Sequence, residues 1–512
     1  MKRSQESHTA NVTPTSMCGT HMSPWRFGLI IALTAALLTG CKVGPDYKRP
    51  EATSIPAAYT GATNVVATDT TNIWKIAQPQ AGLAKGNWWD VFGDSELNEL
   101  ERQALAANQE LKVAVARLSE AQAQMNVARA GLFPNLSASG SFVRQRTSPT
   151  APSTATGKPF GTSATFNDFY VPLTAGYEVD LWGRVRRSVE SARAQFQASA
   201  DDLESVKLMI QAEVAVDYFT LRALDAQKAV LTSSVDVFTK SLQLTRNLRT
   251  GGAVSDLDVA QAQTVLKTTQ AQLPSVVLQR TQFDHALALL VGQPASSFHI
   301  PEHPLSSDPP LIPSELPSAL LERRPDIAAA ERRMASANAS IGVAKAAFFP
   351  SVQLNGLAGF ESLNAGSLFN WSSRLWAVGP SISLPIFEGG KLRAGLQLAK
   401  ATYDEMVATY RQTVLSAFSE VEDSLTAQTL LANQYAAESD ALVAARKQLE
   451  IVNNQYRDGL ITYLEVATAE STELNVEFAA TQLRGEQLVA AVTLVKALGG
   501  GWQSNTEQAN GY

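Results

Sequence analysis

Val127-Ala-Arg-Ala-Gly-Leu-Phe-Pro134 returns 216 positions later as Val343-Ala-Lys-Ala-Ala-Phe-Phe-Pro350, and this self-similarity decides how the chain is organised. Asn108-Gln-Glu-Leu-Lys-Val-Ala114 answers Arg324-Pro-Asp-Ile-Ala-Ala-Ala330 at the same offset. Downstream the offset falls to 207: Trp182-Gly-Arg-Val-Arg186 corresponds to Gly390-Lys-Leu-Arg393, and Leu257-Asp-Val-Ala260 to Leu464-Glu-Val-Ala467. A single change of register means a longer loop in the first copy. The Ser/Thr/Pro/Gly-rich stretch Thr147 to Thr165 supplies it, where the second copy has a short turn around Asn364 to Asn370. The chain is therefore a duplicated unit.

Each copy follows one grammar: helix, two strands, a very long helix, a turn, another helix. The strands alternate with period two, which marks half-buried strands. Leu136, Ala138, Gly140 and Phe142 form one set, and Val171, Leu173, Ala175, Tyr177, Val179 and Leu181 a second. Val352, Leu354 and Phe360, then Trp376, Val378, Ile382, Leu384 and Ile386, repeat the pattern. Each is long enough for a tilted membrane strand of about 9–11 residues. Sevenfold spacing recurs in the helices, at Val189, Phe196, Leu203 and Ile210, at Leu396, Tyr403 and Tyr410, and at Leu442, Leu449 and Tyr456. Neither Arg186–Arg249 nor Leu396–Asp458 contains proline or glycine, so each is expected to be one helix of roughly 90 Å. That is a wall-building pattern.

Two copies supply four membrane strands, too few to close a barrel, and lipid does not tolerate open edges. Copies of the chain must pool them. Two would give about eight strands and a filled barrel; three would give about twelve and leave a lumen. The expected architecture is α+β, a homotrimeric strand barrel with a long helical barrel.

The front of the chain reads as a leader. Phe27 to Thr39 is an apolar run after Arg26, too short to span a bilayer. The preceding stretch is long and polar for a leader, with Met17 and Met22 as alternative starts. Leu38-Thr-Gly-Cys41 matches a bacterial lipobox, whose cysteine takes diacylglyceryl and N-acyl chains; an incidental cysteine after an ordinary signal is the alternative. Lys42 follows it, where aspartate commonly retains lipoproteins at the inner membrane, and this favours the outer one. Cys18 lies in the removed part, so one cysteine is left and no intrachain disulfide is possible. Among 512 residues the net charge is −6, with a pI near 5.6 and mean hydropathy −0.06, which argues against nucleic acid as a partner.

The mature chain resembles the TolC-like outer membrane factors, specifically the OprM/NodT-type efflux lipoproteins. The resemblance rests on Cys41-Lys-Val-Gly-Pro-Asp-Tyr-Lys-Arg-Pro50, Trp88-Trp89 with Phe92 and Leu97, and Asp180-Leu-Trp-Gly-Arg-Val-Arg186. Leu316-Pro-Ser-Ala-Leu-Leu-Glu-Arg-Arg-Pro-Asp326 and Leu384-Pro-Ile-Phe-Glu-Gly-Gly390 complete it. It implies a homotrimer anchored in outer-membrane lipid, and docking to a periplasmic adaptor (a membrane fusion protein) and an inner-membrane pump, usually of the RND class. The expected division is a signal peptide at 1–40, a lipoprotein segment at 41–92, repeats at 93–300 and 301–500, and a tail at 501–512.

Two turns are expected to carry function. Arg249-Thr-Gly-Gly-Ala-Val-Ser-Asp-Leu-Asp258 and Arg457-Asp-Gly-Leu-Ile-Thr-Tyr-Leu-Glu465 both stop a long helix. Gly251, Gly252 and Gly459 provide the stops, and Ser255 with Asp258, and Thr462 with Glu465, are expected capping boxes. Good hairpins alone would need the same residues. The resemblance adds that these turns form a periplasmic tip, where Arg249, Gly251, Gly252, Ser255, Asp256, Asp258, Arg457, Gly459 and Thr462 meet the adaptor. It also makes Leu464 and Glu465 the constricting ring, with Thr468 where related channels often place an aspartate.

Catalytic chemistry is not expected. His299 and His303 are four apart but separated by Pro301, and His285 reads as a wall residue. No phosphate loop or nucleophile elbow occurs, and no cofactor is expected beyond the lipid. A passive export channel is the leading reading. A periplasmic coiled-coil lipoprotein of structural or adhesive role, and a hydrolase, are the alternatives; the paired strands oppose the first and the missing site the second.

Overall fold

The computed structural model describes residues 42–50, 87–150, 163–303, 305, 308–310 and 324–500. The leader, Cys41, Leu316 to Arg323 and the tail lie outside them. Two units separate, one built from strands around 134–186 and 345–386, the other from helices.

The strand unit is one antiparallel sheet in the order β1 and β2, β3, β4, β5. The strands are β1 (Asn135–Ala138), β2 (Ser141–Arg146), β3 (Thr165–Val179), β4 (Ser351–Ser362) and β5 (Arg374–Ser383). The first expected strand is thus split, but its register is not. Ala138 faces Leu173 and Ser141 faces Tyr170, so no residue is inserted across the gap. The cause is Pro172: its carbonyl still accepts from Ser139 N–H at 3.1 Å, but it has no N–H to return. The sheet therefore has four rows. Gly359 lies opposite Pro172, where a Cβ would come within 2.3 Å of the Val171 carbonyl oxygen. The expectation that Leu384 and Ile386 continue β5 is corrected. The strand ends at Ser383, ahead of Pro385, which cannot donate to a ladder.

Paired residues in an antiparallel ladder share a face. The register puts Leu136, Ala138 and Phe142, Val171, Leu173 and Tyr177, Val352, Leu354 and Phe360, and Trp376, Val378 and Ile382 together on one. Ser137, Thr174, Glu178, Gln353, Asn355 and Ser381 fall on the other, with Leu357 and Tyr170 among them. Val378 is 78% exposed and Trp376 73%, so the apolar face lacks cover. Neither β5 nor the β1–β2 row has a second partner among the described residues.

Asp180-Leu-Trp-Gly-Arg-Val-Arg186 is the strand-to-helix turn. The Asp180 carboxylate accepts from the Val185 and Arg186 backbone N–H groups at 3.1 and 2.9 Å. Trp182 stacks on Phe349 at 4.7 Å and donates its indole N–H to the Pro350 carbonyl at 2.7 Å.

Among the described residues are seven helices, of which the last six pair by the duplication: α1 (Ser95–Ala107), α2 (Gln109–Ala130), α3 (Arg184–Thr250), α4 (Asp256–Leu290), α5 (Pro325–Ala346), α6 (Lys391–Arg457) and α7 (Tyr463–Ala497). Helices α2 and α5 both have 22 residues, α3 and α6 67, and α4 and α7 35. Starts and ends obey the sequence offsets: 216 for the first pair (109 against 325, 130 against 346) and 207 for the others (184 against 391, 256 against 463). At 67 residues a long helix runs about 100 Å. No helix among the described residues is apolar enough to cross a membrane.

The helical unit keeps its core around Trp88, Trp89, Phe92, Tyr218, Phe219 and Tyr410. Equivalent junctions tie each copy together. Asn108 donates to the Leu290 carbonyl at 2.9 Å, and Arg324, its counterpart 216 residues on, donates to the Ala497 carbonyl at 3.1 Å. Arg324 also pairs with Asp326 and Glu420, at 2.7 and 2.6 Å. The segment between the copies is fastened by buried charge, since Arg280 reaches Asp225 at 2.7 Å and the Ile300 carbonyl at 2.6 Å. His299 lies 3.0 Å from Asp284, and no cluster of metal-ligating side chains occurs among the described residues.

Candidate functional site

The two turns after the long helices close by the same backbone scheme. Ala253 N–H returns to the Leu248 carbonyl at 2.9 Å, and Leu460 N–H to that of Gln455 at 2.9 Å. Gly252 (φ +76°) and Gly459 (φ +72°) take the left-handed conformation these bonds need. Gly251 does not adopt it, so the stop in the first copy rests on Gly252 alone.

Ser255 and Asp258 form the expected capping box. The Asp258 carboxylate accepts from Ser255 N–H at 2.8 Å and from its hydroxyl at 2.6 Å, and Asp258 N–H returns to the hydroxyl at 3.4 Å. The hydrogen bond from the Ser255 hydroxyl, followed by the backbone N–H groups, holds its pKa below the usual range. The second expected box is corrected. The Thr462 hydroxyl points at the Glu465 carboxylate, 2.6 Å away, and accepts nothing from the backbone of the first turn. That hydrogen bond depresses the Glu465 pKa.

Side chains then fasten each turn differently. In the first, Arg249 grips Asp256 through two parallel hydrogen bonds of 2.8 and 2.9 Å. This pair is exposed, and Asp256 titrates below its ordinary value because of it. At the equivalent positions of the second turn stand Tyr456 and Tyr463, packed edge to face. Tyr463 is buried. Its hydroxyl donates to Glu470 at 2.9 Å, and its N–H donates to Asp258 of the other turn at 3.3 Å. Burial raises the pKa of Glu470.

Leu464, Glu465 and Thr468 share the opposite side of α7 and are all exposed, Leu464 to 55%. Thr468 donates only to the Leu464 carbonyl, at 2.8 Å. Arg457 is exposed and makes no hydrogen bond or ion pair among the described residues. Arg457, Leu464 and Glu465 thus leave a cation, an apolar side chain and a carboxylate uncovered among the described residues. Tyr463, and Glu470 as a buried support, are not singled out by the sequence, and Tyr456 enters there only as a heptad position; the 207-residue offset from Arg249 and Asp256 leads to both tyrosines.

A second feature was missed. The segment after Cys41 is a strap along the helices. Gly44 (φ +108°) lies so close to Gly342 that a Cβ would meet its Cα at 2.6 Å. The Pro45 carbonyl accepts from Asn338 at 3.1 Å, Asp46 pairs with the buried Arg187 at 3.2 Å, and Arg49 reaches Glu331 at 3.4 Å and the Tyr410 hydroxyl at 3.2 Å. In the strand unit, Val43 N–H donates to the Trp182 carbonyl at 3.1 Å. Cys41 itself lies outside the described residues.

The profile of the outer membrane efflux proteins matches residues 100–293 and 316–500. The chain is 34% identical over 484 residues to the probable efflux pump outer membrane protein TtgC of Pseudomonas putida, covering 94% of this chain and 97% of that one. It is 30% identical to the cation efflux system protein CusC of Escherichia coli, over 94% of this chain and all of that one. Among solved structures, the outer-membrane channel OprN superposes with a TM-score of 0.80 at 31% identity, over 90% of this chain and all of that one. The Campylobacter jejuni CmeC outer membrane channel gives 0.80 at 26%, over 92% and 97%. On both its halves and along nearly its whole length, the chain belongs to the outer membrane efflux protein family, as a channel component and not an enzyme.

Proposed function

We propose that three copies close one twelve-stranded barrel in the outer membrane and conduct cargo passively, delivered by a periplasmic adaptor and an inner-membrane pump of the RND class. The observation that carries this reading is the sheet. One face is apolar along its length, the other is largely polar, and both edges are free among the described residues. Its rows run alternately up and down, so β5 of one copy is antiparallel to the β1–β2 row of the next, and three copies close without a fault. From Phe169 to Val179 the apolar side of β3 covers about 33 Å of strand, or about 25 Å of membrane at a tilt near 40°. Aromatic residues mark both ends of this band, Phe142, Phe169 and Phe360 at one and Tyr177 and Trp182 at the other.

The lipid anchor fits the same frame. Lys42, the residue after Cys41 in sequence, packs against Gly183, beside Trp182. In the trimer, three Leu464 and three Glu465 form the narrowest ring of the tip, and Arg249, Asp256, Arg457 and Thr462 face the adaptor with Gly251, Gly252, Ser255, Asp258 and Gly459 shaping the turns. The test is mass and conductance together. Detergent-extracted protein should run as a heat-sensitive trimer and open ion-conducting channels in planar bilayers; a well-folded monomer, or a trimer that conducts nothing, overturns the reading.

A further inference from the structure

We propose that the outer rim of the barrel binds the phosphorylated headgroup of an outer-leaflet glycolipid, through Arg144, Arg146 and Arg374. This rests on the trimeric barrel reading above. Ladder parity puts Arg144 and Arg146 on the apolar face, two and four residues beyond Phe142, opposite Asn167 and Thr165. Arg374 opens β5 on the same face, opposite Phe360. All three stand at the loop end of the sheet, at or past the last apolar row, and all three are exposed.

Among the described residues their surroundings contain no counter-charge. The two acidic residues at this end of the sheet, Asp168 and Glu361, pair with Val143 and Tyr170 and therefore project from the opposite face. Arg144 makes no hydrogen bond or ion pair among the described residues. Among the described residues Arg146 reaches only the Ser163 hydroxyl, at 3.1 Å. Arg374 lies over the Trp371 ring at 4.0 Å, which orients its guanidinium without neutralising it.

Closing the barrel sharpens this. Arg374 is on one edge strand and Arg144 and Arg146 are on the other, so each contact between copies gathers three guanidinium groups at headgroup height. Three like charges beside lipid are unfavourable until an anion joins them. All three are arginine rather than lysine, and the guanidinium fork suits the doubly charged oxygens of a phosphomonoester. The outer leaflet of this membrane supplies such groups on lipid A, the diphosphorylated glucosamine base of lipopolysaccharide.

The experiment uses the full-length trimer in detergent, with binding read by native mass spectrometry. The probes are diphosphoryl lipid A, dephosphorylated lipid A, phosphatidylglycerol and inorganic phosphate. Wild type should bind diphosphoryl lipid A about tenfold more tightly than Arg144→Gln/Arg146→Gln/Arg374→Gln, while dephosphorylated lipid A should not distinguish the two. Equal binding to both proteins overturns the site. Phosphatidylglycerol binding as tightly as lipid A, or inorganic phosphate displacing it, overturns the assignment to a phosphorylated glycolipid. Should the triple variant fail to assemble, Arg144→Gln alone, which removes an exposed side chain without a partner among the described residues, should still weaken lipid A binding about threefold. A wild-type trimer that does not select lipid A sinks only this site; a wild-type monomer sinks the barrel itself.

Discussion

Tyr463 packs edge to face on Tyr456, with ring centroids 5.6 Å apart at 69°, at the positions where the first copy has Asp256 and Arg249. One backbone turn is thus fastened twice by different forces, an exposed ion pair in the first copy and a buried aromatic pair in the second. The two should answer differently to solvent. Raising NaCl from about 0.05 to about 1 M should speed hydrogen exchange around 249–256 and leave 456–463 unchanged, because salt screens only the exposed charges. Tyr456→Ala should do the reverse, opening the second turn by about 3 kcal/mol through lost burial. Equal salt responses at both turns would refute the distinction.

Leu464→Ala with Glu465→Ala should raise single-channel conductance and weaken cation selectivity. Both side chains are exposed on one side of α7, and three copies would bring three carboxylates together. Unchanged conductance and selectivity would move the constriction elsewhere on the tip.

Glu101 is wholly buried with no hydrogen-bond partner on either oxygen among the described residues, and burial pushes its pKa up to about 9. The folded chain then keeps a proton that the unfolded chain, titrating near 4.5, gives up. Stability therefore falls as pH rises from 4.5 towards 9. Glu101→Gln should be more stable than wild type, with a gap that widens by at most about 1.4 kcal/mol per pH unit in that window. Thermal unfolding of both proteins at pH 5 and pH 8 measures it, and parallel pH profiles would show Glu101 to be ionised in the fold.

Gly44→Ala should release the strap. Its φ of +108° is unfavourable for any side chain, and the new Cβ would collide with Gly342. Faster tryptic cleavage after Lys48 is the expected readout, with the tip unaffected; a cleavage rate equal to wild type would show that the strap is held elsewhere.

Cys41→Ser should abolish palmitate labelling while part of the protein stays with the membrane, because the sheet anchors it independently. A single acyl chain binds only reversibly, so stable anchoring requires more than one. Equal labelling of both proteins would place the lipid on another residue or remove it altogether.

Much of this was legible in the sequence because it is encoded by neighbours. The duplication, the 216 and 207 offsets, the alternation of Val171 to Val179 and the stops at Gly252 and Gly459 are properties of contiguous residues, and each recurs in the elements themselves. The strand break was not legible. Pro172 interrupts the ladder opposite Ser139, and that pairing joins residues on different strands.

The sequence by itself determined the repeat, the periods of strand and helix, and the family. Only the tertiary structure decided which residues meet across long separations. It brought Asn338 to Pro45, Asp258 to Tyr463 and Arg324 to Ala497. It also gathered the arginines onto one face of the sheet, left its edges unpaired among the described residues and sealed Glu101 away from water. The physical reason is that periodicity fixes which side of an element is apolar, while the partner of that side is selected by register and packing between elements.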